Sequence, residues 1–151
     1  MSDIRVRAAT RGDVPAIVRF QQGLARETEN FELERARVEK GVAAVLEQPA
    51  KGRYWVAERD GRVLGSLLVT LEWSDWRNAW FWWIQSVYTD PEARRTGIYR
   101  ALHQHVIEAA RRSEHVCGVR LYVLRENERA QAVYESLGME RSPYRFYKVD
   151  F

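Results

Sequence analysis

Apolar positions change period several times along the chain, and each change marks an element. Ile4 to Ala8 alternates apolar and polar, the pattern of a short half-buried strand. Val14, Ile17, Val18, Phe20 and Leu24 then recur at helical spacing, giving a helix that ends near Thr28. Thr10 is its expected N-cap, with Asp13 reaching back, and Pro15 is tolerated in the first turn. A second helix is expected from Glu32 to Glu47, burying Leu33, Val38, Val42, Val45 and Leu46. Gly41 weakens it by up to ~1 kcal/mol, and Pro49 and Gly52 mark its end. Tyr54 to Ala57 and Val63 to Leu71 read as strands joined by a hairpin turn centred on Asp60-Gly61. Residues 72–78 read as a loop, followed by a buried aromatic strand, Trp80-Phe-Trp-Trp-Ile84. Ile98, Leu102, Val106 and Ala109 form the stripe of a helix that ends near Arg112. A strand over Val119 to Leu124 would lie parallel to the aromatic strand, since a helix separates the two. A short helix from Glu128 to Leu137 stops at Gly138, and Tyr144 to Val149 reads as a last strand.

Composition narrows the class. A chain of 151 residues, 46% hydrophobic and 30% charged, is expected to form one domain over residues 1–151. The net charge of +3 is slight and the arginines are scattered, so the clustered basic face of a nucleic-acid binder is not expected. There is no apolar run long enough for a transmembrane helix, and residues 1–7 lack a signal-peptide core, so neither a membrane nor secretion is expected. Cys117 is the only cysteine, which excludes an internal disulfide and agrees with a cytoplasmic location.

The stretch from Gln85 to Arg100 carries the chemistry. It leads from the aromatic strand through Pro91, Arg94, Arg95, Thr96 and Gly97 into a helix. The first turn of a helix leaves N–H groups unpaired, and its dipole adds partial positive charge. Gly97 lets that backbone approach a phosphate, and Arg94 and Arg95 add formal charge. A phosphate-bearing ligand is therefore expected at residues 94–99. Two better-known phosphate loops, G-x-x-x-x-G-K-[ST] and G-x-G-x-x-G, are absent.

Residues Val87 to Tyr99 resemble the acetyl-CoA signature of the GNAT superfamily of N-acetyltransferases. That signature is a strand ending Leu/Val-x-Val-x-Pro, then Arg/Gln-x-x-Gly-x-Gly/Ala opening a helix. Arg94 and Gly97 match fixed positions, and Tyr99 stands where a small residue is usual. Asn127, Ala130, Tyr134 and Gly138 resemble the family's second pattern, with Met139 replacing phenylalanine. The resemblance implies an α/β (α+β) GNAT fold. Its mixed central sheet would have six to seven strands and about four flanking helices, in the order β-α-α-β-β-β-α-β-α-β(-β). It implies acetyl-CoA as co-substrate and direct attack by an amine. Backbone N–H groups near Val87 and Thr89 would hold the pantetheine and polarise the thioester carbonyl. Arg94, Arg95, Thr96, Gly97, Ile98 and Tyr99 would surround the pyrophosphate, and Asn127 would bond the pantetheine arm. Tyr134 would protonate the departing thiolate.

The base is open. Gln85 stands where many relatives carry glutamate and can only position a water. Glu72 is the favoured candidate and Asp75 the other; both could instead bind a cationic acceptor. Trp73, Trp76, Trp80, Trp82 and Trp83 are core residues by default and an aromatic cation pocket as the functional alternative. The loop Trp73 to Asn78 resembles the acceptor loop of the spermidine/spermine acetyltransferases. His103 and His105 point to different helix faces, Cys117 reads as a small packed residue, and no metal-ligand spacing exists. The expected activity is acetyl transfer to a primary amine of a small molecule. The alternatives are a protein or peptide N-acetyltransferase and a non-catalytic CoA-binding sensor. A homodimer through the aromatic C-terminal residues is also expected.

Overall fold

A computed structural model describes residues 3–151. They group into two compact units, the chain up to Leu121 and the segment Tyr122–Phe151.

The first unit is a five-stranded sheet between helices. Its strands are β1 (Arg5–Ala8), β2 (Arg53–Arg59), β3 (Arg62–Ser74), β4 (Ala79–Thr89) and β5 (Val116–Arg120), paired in that order. The β1–β4 pairs are antiparallel and β4–β5 is parallel. Helices α1 (Val14–Glu29) and α2 (Arg35–Glu47) cover one face, where Ile17, Val18, Val42, Tyr54 and Val56 form a core. Helix α3 (Ile98–Arg112) covers the other, where Leu67, Val69, Ile84, Ile98, Leu102 and Val106 are buried together. His103 is buried on α3, and burial pushes its imidazole below the usual value. His105 packs against Trp55 from a different face of the helix, with ring centroids 4.6 Å apart and the planes tilted by 60°.

Local chemistry explains most boundaries. Asp60 and Gly61 both have positive φ, 52° and 73°, as a two-residue type I′ hairpin turn requires. The Asp13 carboxylate accepts the Thr10 N–H at 2.7 Å and closes the entry to α1. It also receives both terminal nitrogens of Arg7, at 2.7 and 3.0 Å, and Arg7 reaches Glu58 on β2. Gly65 on β3 permits the close seating of α3, since a Cβ there would lie 2.7 Å from the Ile98 side chain.

The second unit holds α4 (Glu128–Ser136). Asn127 caps it by accepting the Ala130 N–H at 3.1 Å, and Gly138, at φ 92°, follows its end.

Four expectations are corrected. The sheet of the described residues has five strands rather than six to seven, because 144–149 forms no strand. Tyr144, Phe146, Tyr147 and Val149 are all at least 70% exposed there, and a strand needs a ladder partner as well as an alternating pattern. The expected strand at 119–124 lies instead at Val116–Arg120, where the parallel ladder to β4 runs from Trp80↔Val116 to Trp83↔Arg120. Residues 72–74 belong to β3, so the loop shrinks to the four residues 75–78, with Trp73 and Trp80 packed edge-on across the hairpin at 4.8 Å. Cys117 is exposed because it is the extra residue of a bulge in β5, where its thiol donates to Trp80 O at 3.4 Å.

Candidate functional site

The first feature of the site is the end of β4. Its ladder with β5 stops at Trp83↔Arg120, while β4 itself continues to Thr89. Past that point, among the described residues, β4 has a neighbouring strand on its β3 side alone. The pairing with β3 also shifts, from Ser66↔Tyr88 to Leu68↔Gln85, which places an extra residue at Ser86-Val87. Ser86 takes φ 52° in this bulge. The backbone at Val87 and Thr89 is thus not committed to a ladder with β5.

The second feature is the turn from β4 into α3. A short 3-10 turn, Pro91–Ala93, is capped by Asp90, whose carboxylate accepts the Glu92 N–H at 3.0 Å. Arg95 then adopts φ 65° and Gly97 φ 91°, on either side of Thr96. Such turns direct successive N–H groups into one concavity that favours anions. Gly97 O accepts from Ala101 N at 3.0 Å, so the amides of Ile98, Tyr99 and Arg100 have no acceptor inside the helix. Residues 94–97 are exposed.

Strain is concentrated here. Six non-glycine residues among those described have positive φ. Asn30, Asp60, Asn78 and His115 are of types that tolerate it; Ser86 and Arg95 are not, the first lying in the bulge near the end of β4 and the second in the turn between β4 and α3. Backbone held this way is characteristic of ligand sites.

Side chains depart from expectation in two places. Tyr99 lies along its own helix, its hydroxyl 3.1 Å from His103 Nδ1, so its bulk runs down α3. Arg94 is held by Glu27 of α1, donating to both carboxylate oxygens at 2.7 and 2.9 Å. Its Nε donates to Thr89 O at 3.2 Å, and its guanidinium stands 5.4 Å over the Tyr88 ring. Thr96 is steadied by its own bond to Ala93 O, 2.6 Å, while Arg59 donates to Thr96 O at 3.3 Å.

On the face covered by α1 and α2, Glu72 accepts from Arg120 Nη1 at 2.9 Å and from Trp83 Nε1 at 3.3 Å. Arg120 also sits 3.5 Å over Phe81, and Arg77 lies 5.1 Å from the same ring. Gln85 donates to Thr70. Asp75 accepts the N–H of Trp76, a tryptophan at the hairpin tip that is 88% exposed. The structure therefore gathers Glu72, Trp83 and Arg120 on one face and leaves Asp75 and Trp76 at the tip.

Tyr134 and Asn127 belong to the second unit. Tyr134 is half-buried on α4, and burial pushes its phenol above the usual value. Glu27, Tyr88, Ser86 and Arg120 do not stand out in the sequence as residues of this site. Only Glu27 had a local signal: with Phe20 and Gly23 it continues the stripe of α1 at spacings of three and four.

The model of the acetyltransferase (GNAT) family matches residues 17–139. No curated protein sequence matches the chain. Among solved structures, "a possible acetyltransferase from Clostridium difficile 630" is 42% identical, with a TM-score of 0.92 over 98% of this chain and 97% of that one. A "probable acetyltransferase" is 25% identical, with a TM-score of 0.85 over 97% of each chain. A predicted acetyltransferase with acetyl-CoA from Clostridium acetobutylicum shares the fold at 14% identity, with a TM-score of 0.76 over 98% of this chain and 96% of that one. The chain belongs to the GNAT family of acetyltransferases.

Proposed function

We propose that the protein transfers an acetyl group from acetyl-CoA to the primary amine of a small molecule. The observation that carries this reading is the continuation of β4 past the end of its ladder with β5, directly into the turn at Arg95 and Gly97. These residues fit a pantetheine diphosphate in kind: uncommitted strand backbone for the amide arm, exposed amides and a helix N-terminus for the diphosphate. Acetyl-CoA supplies the activated thioester. Val87 and Thr89 backbone groups hold the arm and polarise the carbonyl, while the amides of 96–99 and the Arg95 guanidinium bind the diphosphate. Asn127 and Tyr134 retain the roles the family resemblance gives them, on the pantetheine arm and at the leaving sulfur.

On the acceptor side, the amine is about 99.9% protonated at neutral pH and must lose a proton before attack. Glu72 receives it through water. Arg120 and Trp83 fix the direction of its carboxylate. The same contacts favour an amino-acid-like amine over a polyamine. Glu72 already has a cationic partner in Arg120, and Arg77 adds a second positive charge beside Phe81. In a Glu72→Gln enzyme, turnover is expected to fall roughly 10²–10⁴-fold with an altered pH–rate profile. A profile matching the parent's rejects Glu72 as the base.

A thiol-release assay with acetyl-CoA and a panel of amines tests the reaction. CoA release above background hydrolysis is expected with small amino-acid-like amines. Release with peptides alone would make the protein a peptide acetyltransferase, and no release with any amine would make it a binding module.

A further inference from the structure

We propose that Glu27 is a positioning residue for the anion-binding turn, holding Arg94 as a structural clamp and leaving the charge contact with the diphosphate to Arg95. The inference rests on the reading of residues 95–99 as the diphosphate site and assigns a role to a helix outside that segment.

Three residues of α1 are fitted to the segment that enters the turn. Phe20 packs on Tyr88, with ring centroids 5.5 Å apart. Gly23 makes room for the same ring: a Cβ there would stand 2.6 Å from the Tyr88 hydroxyl oxygen and 2.8 Å from the carbon bearing it. Glu27, one turn on, takes the Arg94 guanidinium. Phe20, Gly23 and Glu27 lie at i, i+3 and i+7, on one stripe of the helix.

Arg94 is thereby held at three points: the Glu27 carboxylate, the Thr89 carbonyl and the Tyr88 ring. A planar guanidinium engaged in this way is fixed in direction, and its charge is balanced by its partner. The residue after it is different. Arg95 is exposed, takes the left-handed conformation, and makes no ion pair or hydrogen bond among the described residues. The clamp fixes the chain on the residue before the strained turn, so the amides of 96–98 are oriented before a ligand arrives. Because Glu27 and Arg94 are each about two-fifths exposed, the pair contributes little to global stability. Its effect is local to the turn.

The two possible roles of Arg94 give opposite signs. If Arg94 itself met the phosphates, removing its neutralising carboxylate would leave CoA binding unchanged or tighter. As a clamp, Glu27→Gln loosens the turn, and the Kd for CoA is expected to rise about 5- to 20-fold with little change in Tm. Arg94→Glu alone is expected to weaken CoA by more than about tenfold, and the reversed pair Glu27→Arg/Arg94→Glu to recover most of that loss.

A second readout needs no ligand. In the free protein, backbone order parameters of residues 95–98 are expected to fall from about 0.85 to below about 0.6 in Glu27→Gln. Unchanged or tighter CoA binding by Glu27→Gln overturns the proposal, as do unchanged order parameters. Failure of the parent protein to bind CoA would instead sink the reading of the turn as a diphosphate site, and the order parameters would still decide whether Glu27 holds it.

Discussion

Replacing Tyr134 by phenylalanine is expected to lower kcat by roughly 10²–10⁴-fold while the Kd for acetyl-CoA stays within about twofold. The ring would stay in place on α4 and only the proton donor would be lost. Burial pushes the phenol up from its usual value, so Tyr134 is fully protonated at neutral pH. A CoA thiolate, with a thiol pKa near 8.5, is the weaker base of the pair, so the proton moves only as negative charge builds on sulfur. That makes the contribution specific to the transition state, which is why kcat should fall and binding should not. Single-turnover acetyl transfer combined with calorimetry separates the two. Near-normal turnover in Tyr134→Phe would remove the phenol from the mechanism.

The largest expected effect on stability is at Asp13, which is 5% exposed. Its carboxylate receives two bonds from Arg7 and one from the Thr10 N–H, and Arg7 also bonds Glu58. One carboxylate thus ties β1 and, through Arg7, β2 to the entry of α1. Asp13→Ala leaves a largely buried guanidinium half-paired and the Thr10 N–H without its acceptor. The expected cost is about 3 kcal/mol, the lower end for breaking a buried pair because Arg7 keeps a quarter of its side chain exposed. In a protein of this size that lowers Tm by about 10 °C. Arg7 holds the Asp13 carboxyl below the usual carboxylate range. This stabilisation is therefore fully present above about pH 4 and is lost as pH falls through the depressed value. Thermal scans of parent and variant should converge in that acidic window. A constant difference down to the lowest pH would contradict the ion-pair account.

How far the sequence could be read depended on how local each determinant was. Asp60-Gly61 specifies its own turn, and Ile98 to Ala109 specifies its own helix, so both were found within a residue. The glycine ahead of α3, Gly97, also has a local determinant, because a left-handed position before a helix favours glycine whatever surrounds it. Determinants that need a distant partner were not legible. Glu72, Trp73 and Ser74 look like loop residues until Trp73 meets Trp80 across the hairpin. The extra residue at Ser86-Val87 exists only relative to β3, and nothing in a serine announces it. Arg94 matched the family pattern by type, yet its partner lies 67 positions earlier in the chain, at Glu27. The aromatic alternation of 144–149 shows the opposite error, a strand pattern without a ladder to join.

Titrating acetyl-CoA into the intact protein by calorimetry is the most direct test of the central claim. The account predicts one site per chain with a Kd on the order of 1–100 µM, weakening as salt rises because the diphosphate is held partly by charge. No binding heat with acetyl-CoA at millimolar concentration would contradict it.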